Sequence, residues 1–264
     1  MDTSLARVVK RSALALAATV FFAASCVAAE VRVMISGGLS AAYEELGHDF
    51  ERDTGHKLIT IKGPSMGTTP QAIPNRIDRG EPVDVLIMVG DALTGLVQRG
   101  KVVPASRVDM ARSSIAMAVR KGDPKPDISS ADAFRRALLD AKVIVYSDPA
   151  LGGSASNYVH ELIAKLDTTG EIKPKIKLAV EYRSIANTVA AGGVDLALNQ
   201  VAEIVADARL ELVGPLPAPH QRYTNYAAGV IATSRSQDAS RAFIAFMATP
   251  EAAAIMRRRG FEPN

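Results

Sequence analysis

From Val31 onward, short apolar runs of strand character alternate with amphipathic helical stripes, and glycine or hydroxyl residues repeatedly occupy the joints. The run 31–35 reads as a buried strand, and Leu39, Tyr43, Leu46 and Phe50 recur behind it at helical spacing. The same order returns at 57–62 (KLITIK), which leads through GPSMGTTPQAIP into a short helix near 75–79. It returns again at 83–89 (VDVLIMV), whose unbroken apolar character suits a sheet covered on both faces. Gly90-Asp91 opens the next helix and Arg99-Gly100 closes it.

The second half repeats the grammar. A strand at 114–120 (SIAMAVR) is followed by the turn-rich KGDPKPDIS, and Ser129 or Ser130 can cap the helix ADAFRRALLDA. The strand 143–146 leads into SDPALGGSASNYVHELIAKL, again a glycine loop opening a helix. Strands at 177–182, 195–198 and 225–232 alternate with helices from Ile185 and Val201, and Pro250 splits two terminal helices. Such recurrence restricts the chain to α/β layers, with ligands expected at the carboxyl ends of strands. Two βα blocks joined by strands predict two lobes flanking a cleft, one from 30–113 plus 224–264 and the other from 114–223.

The first 29 residues stand outside this pattern. Arg7, Lys10 and Arg11 precede the apolar run SALALAATVFFAA and the small-residue exit Val27-Ala28-Ala29, the layout of a signal peptide removed near Ala29. Its core is too short for a membrane span, so a soluble, exported, periplasmic chain is expected, with no membrane insertion after cleavage. Cys26 is a conceivable lipidation site, but Ala23 stands where such sites usually carry leucine. Removing the leader takes away three basic residues and Asp2, so the net charge falls from +3 to +1. With no Trp and no dense basic run, a nucleic-acid surface is excluded. Cys26 is the only cysteine, which leaves the mature chain without disulfides, a thiol nucleophile or a cysteine metal site.

Three loops open helices with glycine and hydroxyl groups: Ser36-Gly37-Gly38, the stretch from Gly63 through Ser65 and Met66 to Thr69, and Gly152-Gly153-Ser154-Ala155-Ser156. A helix N-terminus carries unpaired amides and partial positive charge, and glycine lets an anion approach that backbone. Together the loops call for a small anionic ligand. None completes a nucleotide-binding glycine pattern. Lys62, Arg76 and Arg183 lie beside these loops, and arginine forks suit planar carboxylates, which points to a di- or tricarboxylate.

The succession VMISGGLSAAYEEL, KGPS, RGEPVDVLIMVGD, VYSDPALGG, LNQVAEI and MATPEAAAIMRRRGFEP resembles the periplasmic molybdate-binding-protein-like family of solute-binding proteins. The resemblance implies a two-lobed periplasmic-binding-protein (type II) fold closing over an oxyanion, in a monomer. Carried over by position, it implies ligand contacts near Gly38, Ser65, Ser154, Ser184 and Asn199. Gly38 replaces the serine, and Asn199 the tyrosine, of the molybdate pattern.

Aconitate isomerases resemble the same family and exchange cis- and trans-aconitate. That implies an allylic proton shift needing one base and neighbouring cations but no metal or organic cofactor. Tyr146, Tyr182, Glu203 and Lys62 lie close enough to expected strand ends to supply the base, which the sequence leaves open, while His48 reads as an exposed helix residue. His56, His160 and His220 lack metal-ligand spacing, there is no GxSxG elbow, and Ser154 has no identifiable partner histidine. The alternative implied function is a receptor handing a polycarboxylate or molybdate-like oxyanion to an ABC permease.

Overall fold

In a computed structural model covering residues 28–180 and 184–264, the alternating grammar forms one mixed sheet with helices on both faces. The expected leader up to residue 27, with Cys26, and the candidates Tyr182 and Arg183 lie outside the described residues. The first unit runs β1 (Glu30–Ile35), α1 (Ser40–Thr54), β2 (Lys57–Lys62), α2 (Ile73–Asp78), β3 (Val85–Val89) and α3 (Gly90–Gln98). Gly55 ends α1 in the left-handed region at φ 74°, where its N–H caps the Glu51 carbonyl.

The chain then crosses through β4 (Val108–Arg120) into α4 (Ala131–Asp140), β5 (Ile144–Ser147), α5 (Ser154–Leu166) and β6 (Ile176–Ala179). α6 (Ser184–Ala190), β7 (Leu196–Gln200), α7 (Val201–Val205) and β8 (Leu210–Pro215) complete that half. β9 (Tyr223–Val230) returns to the first half, followed by α8 (Gln237–Met247), α9 (Pro250–Arg258) and β10 (Glu262–Pro263).

The strand order is β2-β1-β3-β9-β4-β7-β5-β6, with β8 and β10 pairing β4 off this path. β1 is parallel to β2 and β3, while β9 is antiparallel to β3 and β4. β4 belongs to both halves of the sheet. Its residues up to Ser114 pair with β9, whereas from Ile115 they pair with β7 and from Ala116 with β8. At this switch the Gln221 amide accepts from Ile115 N–H at 3.0 Å and donates to Ile115 O at 3.1 Å and Leu216 O at 3.2 Å. Backbone groups at a strand crossing thus find partners in one side chain.

Alternation along the strands decides which core each residue enters. Val85 and Ile87 pack with Tyr43, Leu46, Phe50 and Phe243 under α1 and α8, while Leu86 and Met88 face Ile73, Leu93 and Leu96 under α2 and α3. In the other half, Ile144 packs with Phe134, Val159 and Leu162, and Val145 with Ile185, Val189 and Ile204. Both sheet faces are therefore covered in each lobe, which is why the strands read as continuous apolar runs.

Three features differ from the sequence expectation. β4 begins at Val108, where charged Asp109 and Arg112 break the apolar pattern, yet pairing with β9 extends the strand. β8 and the two-residue β10 have little apolar periodicity of their own and form by pairing with β4. β7 runs to Gln200 rather than ending at Leu198, which places two amide side chains at the strand's mouth.

Candidate functional site

The carboxyl ends of β1, β2 and β3 face those of β5 and β7 across a cavity of about 450 Å³. All three glycine loops contribute to its walls, with Tyr226 from β9 and the Asn199–Glu203 stretch. That volume lies within the about 300–1,000 Å³ range of small-molecule sites.

In the first loop, Ser36 N–H donates to Ile87 O at 2.9 Å, pinning the turn to β3. The Ser36 side chain is buried, and its hydroxyl has no hydrogen-bond partner. Gly38 is required by a close approach: a Cβ there would lie 1.9 Å from the Tyr226 hydroxyl oxygen. That hydroxyl donates to Gln200 Oε1 at 2.7 Å, linking β9 in one lobe to β7 in the other.

The second loop is anchored by Ser65, whose Oγ accepts from Val89 N–H at 3.0 Å while the residue lines the cavity. Lys62 also lines it, with Nζ 2.8 Å from Glu44 Oε1 at the exposed rim. Met66 does not line the cavity; its carbonyl instead touches the facing loop. Arg76, expected to reach a ligand, does not line it either. Its Nε donates to Glu81 Oε2 at 2.7 Å, Nη2 to Glu81 Oε1, and Nη1 to the Lys62 carbonyl at 3.1 Å. That fork already grips a carboxylate of its own chain, five residues downstream.

In the third loop, Asp148 caps the turn at Ala150, and Gly152 adopts φ 76° before Ser154 begins the 13-residue helix α5. Ser154 Oγ lies 3.1 Å from Thr224 Oγ1, and Ser156 Oγ donates to Gly153 O at 2.9 Å. The two halves meet here: a Cβ on Gly152 would stand 2.1 Å from Met66 O and 3.2 Å from the Gly67 Cα.

Asn199 is held at both ends of its amide. Its Oδ1 accepts from Gln200 N–H at 2.8 Å, and Nδ2 donates to Glu203 Oε2 at 2.5 Å. Glu203 sits in the first turn of α7 and lines the cavity, so its carboxylate is held in place by an amide and a helix N-terminal turn. Ser184 opens α6, whose Ile185 and Ala186 line a smaller hollow of about 70 Å³ that shares Gly37, Gly38, Asn199 and Glu203 with the main cavity.

Among the other base candidates, Tyr146 lies outside the cavity lining, with its hydroxyl 3.0 Å from His160 Nδ1. Burial raises its pKa, against the ease of losing a proton. His48 is exposed on α1. Among the described residues no group of three or more His, Cys, Asp or Glu side chains could hold a metal ion, and no helix is long and apolar enough to cross a membrane. The described lining is uncharged apart from Lys62 and Glu203. Gln200 and Tyr226 escaped the sequence reading, although LNQV placed an amide beside Asn199.

The sequence matches a family described as bacterial extracellular solute-binding protein over residues 31–262. It is 39% identical over 251 residues to an aconitate isomerase from a Pseudomonas species, covering 95% of this chain and 94% of that one. A molybdate-binding protein ModA from Azotobacter vinelandii is 26% identical, with 89% of this chain and 90% of that one covered. The solved periplasmic molybdate-binding protein of Azotobacter vinelandii superposes with a TM-score of 0.71 at 20% identity, over 88% of this chain and 98% of that one, a likeness of fold. With two lobes about a loop-lined cleft and a family match from β1 to β10, the chain belongs to the bacterial extracellular solute-binding proteins.

Proposed function

We propose that the protein interconverts cis- and trans-aconitate in the interlobe cleft, after export to the periplasm. One observation carries this reading: a chain 39% identical to an aconitate isomerase along nearly its whole length places a carboxylate, Glu203, in the wall of a cleft whose described lining holds no other carboxylate side chain. In this reading Glu203 removes a proton from the substrate methylene carbon. The electron pair spreads over the allylic system and its carboxylates, and the proton returns to the former vinyl carbon. Ser65, Ser154 and the α5 N-terminus supply neutral donors to the carboxylates, and Lys62, with Arg183 ahead of α6, supplies cationic charge. Asn199 fixes the base, since its amide already holds Glu203.

The test follows trans-aconitate by NMR in deuterated water. Conversion to cis-aconitate with deuterium at the allylic carbons is expected, and Glu203→Gln should lower kcat by about 10²–10⁴-fold while leaving binding nearly intact. Tight binding without conversion would sink the isomerase reading. It would favour a second one, a receptor passing its anion to an ABC permease, which the neutral loops and the similarity to ModA support.

A further inference from the structure

Two hydrogen-bond donors of the cavity lining, on Ser36 and Gln200, stand without a described acceptor. Ser36, at the end of β1, is 5% exposed, and its hydroxyl has no partner. Gln200, at the end of β7, is also 5% exposed. Its Oε1 accepts the Tyr226 hydroxyl at 2.7 Å, and among the described hydrogen bonds none uses Nε2. Both side chains line the main cavity. Tyr226 connects the two elements that carry them: its hydroxyl bonds Gln200, and its oxygen lies 1.9 Å from where a Cβ on Gly38, two residues after Ser36, would be.

A buried donor without an acceptor destabilises a fold, and of the buried partnerless hydroxyls among the described residues, those of Ser36, Ser40 and Ser240, Ser36 alone lines the main cavity, where a ligand can supply the acceptor. The donor types narrow that acceptor. A hydroxyl and a primary amide, presented by opposite lobes, match the two oxygens of one planar carboxylate. Donation from Tyr226 into the amide oxygen also polarises the Gln200 N–H groups, strengthening them toward an anion. We infer that Ser36 Oγ and Gln200 Nε2 form a carboxylate subsite, oriented by Tyr226, which takes one carboxylate of a polycarboxylate ligand; the inference rests on the functional reading above.

Gln200→Glu separates this role from mere support of Tyr226, since it keeps an oxygen for the Tyr226 hydroxyl and replaces the donor by an acceptor. Titration calorimetry with trans-aconitate should show about 10- to 100-fold weaker binding for Gln200→Glu and for Ser36→Ala. Without ligand, the melting temperature of Ser36→Ala should equal or exceed that of the wild type. Should Gln200→Glu fail to fold, Ser36→Ala decides by the same criterion. Wild-type binding of trans-aconitate that both folded variants retain at full strength would overturn the subsite and leave the isomerase reading standing. Binding of molybdate and not of trans-aconitate by the wild type would overturn both.

Discussion

Arg76 shows how one side chain's role is decided by its nearest carboxylate. Its guanidinium makes a forked contact with Glu81, and the pair is largely screened from solvent, at 17% and 30% side-chain exposure. Its third donor holds the Lys62 carbonyl, so it braces the mouth of β2 rather than meeting a guest. Arg76→Ala should therefore lower stability by about 1 kcal/mol. For a chain this size that is a fall of about 2–4 °C in melting temperature, readable by calorimetry. Affinity for trans-aconitate should change less than about three-fold; a ten-fold loss with unchanged melting would return Arg76 to the ligand. The sequence showed that Arg76 lay near a glycine loop, but the guanidinium had to choose between a ligand and Glu81, and only geometry records the choice. Gly38 was read as leaving room for an anion, whereas the side chain that comes close to it is Tyr226, far along the chain on β9.

At the scale of elements, α1 and α9 are clasped by Glu45, which accepts from Arg259 Nη2 and Arg258 Nη2 at 2.8 Å each. The Arg259 hydrogen bond, first among the causes, holds the Glu45 carboxyl below its ordinary value. A depressed folded-state value gives stability that is present above the unfolded carboxyl's pKa of about 4.3 and is lost as pH falls through the lower folded value. Glu45→Gln should thus cost about 0.5–1 kcal/mol at neutral pH, with the difference from wild type shrinking below about pH 4. Melting curves across pH 3–7 check this, and a constant offset at every pH would refute it. Most strands and helices were readable because apolar residues recur along one face, as in α1 and the buried run of β3. β8 was not, because Leu210–Pro215 becomes a strand only where β4 offers it an edge.

For the molecule as a whole, two lobes share β4, and the Gln221 amide satisfies the backbone where that strand changes partners. A cleft of this kind was foreseeable from helix-opening loops in both halves, but its contents depend on which loops converge. Gly67 and Gly152, both at positive φ, meet where the second and third loops touch. Gly152→Val would set side-chain atoms where the Met66 carbonyl now stands and strain a backbone at φ 76°. Affinity for trans-aconitate should fall at least about ten-fold, mostly through faster dissociation, as read by stopped-flow fluorescence or competition. An unaltered off-rate would show that the two loops do not limit escape. Since a Cβ at Gly152 would stand 2.1 Å from the Met66 carbonyl, the two halves touch backbone to backbone at this point, and even the smallest added side chain would have to hold them apart.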